Sequence, residues 1–391
     1  MSDTGHFQEF KDELLLHLCV RDQKFMRKQL PLHPIRPALA LLSCLMFPAV
    51  SCAGSDDVAD TAVAAAYDAS VAADAREIAS DQAPIAVTLY EPSAVPVLNS
   101  RDQKSVSDGI WLVSSRGSAL PETARRPEFR VQVRQYHSGK GVHHSSLDNL
   151  INSIDPSIPV CLVVHGSFVP EHTVVSEAVR SRRWLKNGAG DRPFQMIYFR
   201  WESDLPVGPL VAFDVAILGQ RASWNGFYLA DLISRLPPNV QVGAVGHSHG
   251  ARVISSALHL LGGGAVDGFC NPRLKQDQHR IRAAFVAAAV DHHWLNPGEE
   301  FDRCLRRSDG IINLTNSRDP ALAVYPLRAH GIRRALGRTG LTDRDQDSLG
   351  GLSRQFRSIE VGEIIGCSHT WPAWTNEPSV ARCFTPWLLG Q

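Results

Sequence analysis

The stretch Val240-Gln241-Val242-Gly243-Ala244-Val245-Gly246-His247-Ser248-His249-Gly250-Ala251-Arg252-Val253 decides how this chain is read. Val240 to Val245 is a short apolar run that reads as a buried strand. From Ala251 to Leu261 the apolar residues fall at helical spacing. Gly262-Gly263-Gly264 then stops that helix, because glycine tolerates the left-handed turn at a helix end. Between strand and helix lies Gly246-His247-Ser248-His249-Gly250, a G-x-S-x-G match. Such a string is weak alone, since glycine and serine are common. With a strand before it and a helix after it, it reads as a nucleophile elbow, a strained turn that holds a serine hydroxyl above a sheet. The residues flanking that serine must be small, and glycine costs least there.

Short apolar runs on either side extend the pattern. In order they are Ile110–Val113, Phe129–Val133, Pro159–Val164, Phe194–Phe199, the strand before the elbow, Ala283–Val290, Ile311–Leu314 and Ser358–Val361. Helical stretches lie between them. The clearest carries Leu218, Ala222, Leu229, Ile233 and Leu236 on one stripe and ends at Pro237-Pro238. The expected fold class is α/β, an α/β-hydrolase fold with a mostly parallel eight-stranded sheet flanked by helices and the serine after the fifth strand.

The chain has 391 residues, 44% of them hydrophobic, enough for one large core. Lys plus Arg number 40 and Asp plus Glu number 40, so the formal charge is zero and no electrostatic case exists for nucleic acid as a partner. Met26-Arg27-Lys28 opens a basic segment, Ala38 to Ser51 is an apolar stretch too short to span a bilayer, and Ser51-Cys52-Ala53 offers small residues for a signal peptidase. Residues 1–53 therefore read as an N-terminal extension with an export signal starting at 26, which places the protein in the periplasm or outside the cell. Cys52 as a lipid-attachment site is the alternative, and membrane attachment through the N-terminus is the only kind expected. Residues 54–108, rich in Ala, Asp, Ser and Pro, read as a flexible linker, and 109–391 as the catalytic domain. Of eight cysteines, Cys161 reads as a buried thiol; Cys270 with Cys304 and Cys367 with Cys383 are either disulfides or free thiols.

An activated serine needs a base, an orienting carboxylate and an oxyanion hole. His369, just after the last expected strand, is the candidate base. The acid should follow strand six or seven: Asp319 is favoured, because the later position is commoner in this fold, and Asp291 is the alternative. The oxyanion donors are backbone N–H groups, one from His249 after the serine and one from the loop His165-Gly166-Ser167-Phe168. Ser167 is the first choice there, with Phe168 second.

The region from Ile110 to Leu389 resembles the α/β-hydrolase superfamily. More narrowly it is similar to a bacterial group of uncharacterised serine hydrolases of lipase or esterase type. The matching runs are Val163-Val164-His165-Gly166, Phe199-Arg200-Trp201-Glu202-Ser203, the elbow through Val253, Ala289-Val290-Asp291, Ser317-Arg318-Asp319-Pro320-Ala321-Leu322 and Ser368-His369. The resemblance implies Ser248, Asp319 and His369 as a triad. Trp201-Glu202-Ser203 replaces a Trp-Pro-Ser type run, and His249 replaces the usual methionine.

His247, His249, His292 and His293 lack any zinc-ligand spacing, so no metal and no cofactor is expected. His143-His144 reads as a solvated loop. Asp204 to Ala222, with Pro206, Pro209, Leu210 and Phe213, reads either as a cap over the site or as an ordinary helix entry. The expected function is acyl transfer from a small-molecule ester through Ser248. The alternatives are an amidase or peptidase of the same fold, and a non-catalytic binding protein that keeps the fold. N-terminal sequencing of the native protein should read from near Gly54. An intact Met1 or Met26 end contradicts export, and a lipid-modified Cys52 selects the anchored form.

Overall fold

The computed structural model describes residues 109–204, 211–271, 273–274, 277–325 and 334–390, with backbone alone for 211–214. The extension 1–53, its export signal and the linker 54–108 lie outside the described residues. No described helix is long and apolar enough to cross a membrane.

One sheet carries the fold. Its strands are β1 (Ile110–Ser114), β2 (Gln132–His137), β3 (Gly141–Ser145), β4 (Val160–Val164), β5 (Gln195–Arg200), β6 (Val242–His247), β7 (Ile281–Val286), β8 (Gly310–Thr315) and β9 (Phe356–Glu360). They lie in the order β3-β2-β1-β5-β4-β6-β7-β8-β9. β2 runs antiparallel to both neighbours, and every other pairing is parallel. The long helices are α1 (Val174–Ala189), α2 (Val211–Ser234), α3 (His249–Leu261) and α4 (Pro378–Leu388).

The central strands are mostly apolar because both faces are covered. Successive side chains alternate between faces. Val160, Leu162 and Val164 of β4 pack on one side with Leu229 and Ile233 of α2 and Val253 and Ile254 of α3. Cys161 and Val163 of the same strand pack on the other side with Ala178 and Trp184 of α1 and Val380 and Phe384 of α4.

The sheet has nine strands, one more than the sequence pattern predicts, so the elbow follows the sixth strand in chain order. The extra strand is β3, paired with β2 across a turn in which Gly139 and Gly141 take positive φ. His143 and His144 sit on it with exposed side chains, and are not in a loop. As an edge strand outside the core, β3 has no apolar face to reveal its period. β2 begins at Gln132 and not at Phe129. β7 ends at Val286, short of Val290, because Ala287 turns out of the sheet at φ 46°. All five described cysteines are free thiols, and burial pushes Cys161 up to about 12.

Parallel pairing assembles the candidate site. β4 and β6 are neighbours, with Val164 opposite Gly246, so the loops leaving their carboxyl ends meet at one edge of the sheet. They meet closely. A Cβ on Gly250 would stand 2.7 Å from the His165 carbonyl oxygen, and one on Gly166 would stand 3.1 Å from the Ser248 Cβ. Helix α3 is held from behind by α2, where a Cβ on Gly226 would come within 2.5 Å of the Ser256 Cβ and 2.9 Å of the Ala257 nitrogen. An alanine inside a helix normally stabilises by about 0.5–1 kcal/mol over glycine. Overpacking costs about 1–3 kcal/mol. Gly226→Ala should therefore lower the thermal unfolding midpoint. A raised midpoint would mean that α2 and α3 can part to admit the methyl group.

Candidate functional site

Ser248 sits between β6 and α3 at φ 51° and ψ −120°, a conformation that costs a non-glycine residue about 1–3 kcal/mol. Neighbouring backbone holds it there. Its N–H donates to the Val286 carbonyl at 2.9 Å, and its own carbonyl accepts from Ala251 at 3.1 Å and Ala289 at 3.2 Å. The result is a hydroxyl at the carboxyl edge of the sheet, with Oγ 2.9 Å from Nε2 of His369.

The acid is oriented by a short-range motif. Asp319 caps the short helix Pro320–Ala323: one carboxylate oxygen accepts from the Leu322 N–H at 3.0 Å, and Pro320 occupies the first helical position, where a missing N–H costs nothing. The other oxygen lies 2.6 Å from Nδ1 of His369. A carboxylate accepts only, so Nδ1 carries the proton and Nε2 presents its lone pair to the Ser248 hydroxyl. Asp319 is fully buried. Burial opposes a charge on His369, but the charge and hydrogen bond of Asp319 outweigh it, so the imidazole titrates above its usual value. Asn316, after β8, donates to the carbonyls of Gly366 at 2.9 Å and Ser368 at 3.2 Å, clamping the histidine loop to the acid loop. Asp291, the other candidate acid, is buried in a bridge with Ala335. Of the two carboxylates, Asp319 is the one at hydrogen-bond distance from His369.

The loop after β4 is locked from the side of β5. Burial pushes His165 down to about 4, so it is neutral. Its Nδ1–H donates to the Gly166 carbonyl at 2.8 Å, and Nε2 accepts the Trp201 backbone N–H at 3.3 Å. The Trp201 indole returns a hydrogen bond to the His165 carbonyl at 2.9 Å. Phe168, at φ 63°, donates its N–H to the Ser203 carbonyl at 2.8 Å. Of the two residues considered as the donor in this loop, Phe168 therefore has its N–H committed to the backbone after β5. His249 opens α3, where first-turn N–H groups point out of the helix end toward an anion. The Ser167 hydroxyl lies 2.6 Å from Nδ1 of His249, so a side-chain hydrogen bond joins the two residues named as oxyanion donors.

The histidines beside the serine diverge. His249 meets Ser167, while His247 places Nε2 2.8 Å from the His369 carbonyl. His292 pairs with Asp345 at 2.6 Å, away from the serine. Of the cap expected over Asp204–Ala222, residues 205–210 and the side chains of 211–214 lie outside the described residues. Asp204 itself pairs with Arg116, which also reaches Glu202 at 3.3 Å. Sequence reasoning missed Asn316 and the part played by His247. His247 stands at a position that the G-x-S-x-G pattern leaves open and Asn316 precedes the acid run, and both act through backbone carbonyls remote in the chain.

The chain matches no protein-family model and no curated protein. A hydroxyl that can pass its proton to an imidazole held by a buried carboxylate has the arrangement of an activated nucleophile. Titration of the His369 ring protons by NMR should give a midpoint above the ordinary 6.5, because Asp319 favours the imidazolium. In Asp319→Asn that attraction is gone and burial remains, so the midpoint should fall below the wild-type value. An unchanged midpoint would remove Asp319 as the orienting group.

Proposed function

We propose that this protein is a serine hydrolase of the α/β-hydrolase fold that acts on carboxylic esters through an acyl-enzyme on Ser248. The observation that carries the reading is the chain of contacts from Ser248 Oγ to His369 Nε2 at 2.9 Å and from His369 Nδ1 to Asp319 Oδ2 at 2.6 Å. The fold assignment is supported by the chain order serine, acid, histidine, with each residue after the carboxyl end of a parallel strand.

The chemistry follows from these positions. His369 Nε2 takes the proton of Ser248 as Oγ attacks the ester carbonyl. Asp319 holds the imidazolium that forms and stays ionised itself. The N–H groups of Ser167 and His249 face the oxyanion. The imidazolium then gives its proton to the departing alkoxide, leaving the acyl group on Ser248. Water, deprotonated by His369 in the second half, releases the carboxylic acid and restores the serine. The export signal read in residues 26–53 would place this activity outside the cytoplasm.

A fluorophosphonate probe should label the wild-type protein, and Ser248→Ala should abolish labelling while the protein stays folded. Asp319→Asn should lower kcat on the order of 10⁴-fold by leaving the imidazole in the wrong tautomer. Since the base must be neutral, kcat/KM should rise with pH through a midpoint above the ordinary imidazole value. Undiminished labelling of Ser248→Ala would end this reading. Matched p-nitrophenyl esters and anilides separate ester from amide cleavage.

A further inference from the structure

His247 precedes the nucleophile in the chain, and the acyl-transfer steps above make no use of it. It is buried, with 7% of its surface exposed. Its Nε2 lies 2.8 Å from the backbone carbonyl of His369, a residue 122 positions away. A carbonyl only accepts, so Nε2 carries the proton and donates. The ring lies between His369, at a centroid distance of 5.2 Å, and Trp371, at 5.1 Å. Trp371 is itself anchored, its indole N–H donating to the Ser181 hydroxyl of α1 at 3.0 Å. On its other edge, His247 Nδ1 faces Gly166, where an added Cβ would stand 2.9 Å away. One imidazole therefore touches the base loop and the oxyanion loop while its backbone belongs to the nucleophile strand.

Burial, with the charge on His369, pushes His247 down to about 3. It stays neutral while His369 gains and loses a proton, so its donated hydrogen bond persists through such a cycle. The ties from Asp319 and Asn316 to the base loop come from the segment after β8. His247 ties that loop to β6, the strand that carries Ser248.

We propose that His247 is a positioning residue: by donating Nε2–H to the His369 carbonyl and packing between His369 and Trp371, it sets the distance from the base to the serine. This rests on the reading of Ser248 as nucleophile and His369 as its base. A displacement of about 1 Å at reacting atoms can cost on the order of 10²-fold in rate. A purely structural histidine would cost stability without a selective effect on kcat.

Two substitutions separate these cases. His247→Phe keeps a ring between His369 and Trp371 but deletes the donor; His247→Gln restores an amide N–H near the same place. With p-nitrophenyl butyrate, His247→Phe should lower kcat about 10²-fold with KM changed less than about twofold, and His247→Gln should recover about tenfold of that loss. Thermal unfolding confirms that both are folded at the assay temperature. A folded His247→Phe with wild-type kcat overturns the proposal, as does a folded His247→Gln no better than His247→Phe. The wild-type protein supplies a test free of folding effects. Its ¹⁵N ring spectrum should show His247 as the Nε2–H tautomer, with coupling across the hydrogen bond to the His369 carbonyl; an Nδ1–H tautomer overturns the proposal. Ser248→Ala is the control. Full turnover in that variant defeats the reading of the nucleophile, and this inference with it. Loss of turnover there, with wild-type kcat in His247→Phe, defeats this inference alone.

Discussion

The carboxyl ends of β4 and β6 approach so closely that glycine is required on both sides of the contact. A side chain on Gly250 would strike the backbone of β4, and one on Gly166 would strike Ser248 and His247. This contact is a packing constraint before it is anything chemical. It places the start of α3 against the loop His165-Gly166-Ser167-Phe168, and so puts two backbone N–H donors and the serine hydroxyl in one small volume. The strain at Ser248 is tolerated because the carbonyl of Val286 and the N–H groups of Ala251 and Ala289 hold the turn from three directions. α2 packs closely against the back of α3 at Gly226.

Three imidazoles at this edge show how environment sets the use of one residue type. His165 and His247 are buried without a carboxylate partner, and burial keeps both neutral. Each serves as a directional donor: one shapes the loop after β4, and the other anchors the loop of His369. His369 keeps 24% of its side chain open and lies against a fully buried carboxylate. That neighbour reverses the direction of its shift. An imidazole whose pKa is raised by a buried carboxylate, braced by two rings that burial keeps neutral, can gain and lose a proton without disturbing its own scaffold.

The most legible features were those whose physics is local. The elbow spans five residues between a strand and a helix and needs no partner to be recognised. Asp319 was picked out by its place after a strand, but the helix cap that aims its carboxylate shows only in the structure. The central strands β4, β5 and β6 show as largely apolar runs because both faces are buried. Edge elements were harder. β3 is Gly-Val-His-His-Ser, with no apolar face, and its existence is decided by hydrogen bonds to β2. The two cysteine pairings considered from sequence are absent, all five described thiols being free.

By itself the sequence determined the α/β class, the elbow, the loop after β4 and a short list of partners for the serine, because each of these is written in contiguous residues with a fixed period or turn chemistry. It favoured Asp319 over Asp291 only by position along the chain, since both follow strands and both are followed by the histidine. The tertiary structure decided which carboxylate meets His369, through the parallel register of β8 and β9 and the Asn316 clamp. It also decided that Phe168 spends its N–H on Ser203, and that His247 reaches the carbonyl of His369. These are contacts between residues 35 to 122 positions apart. Their geometry depends on how strand ends align across the sheet, which no local pattern of residues encodes.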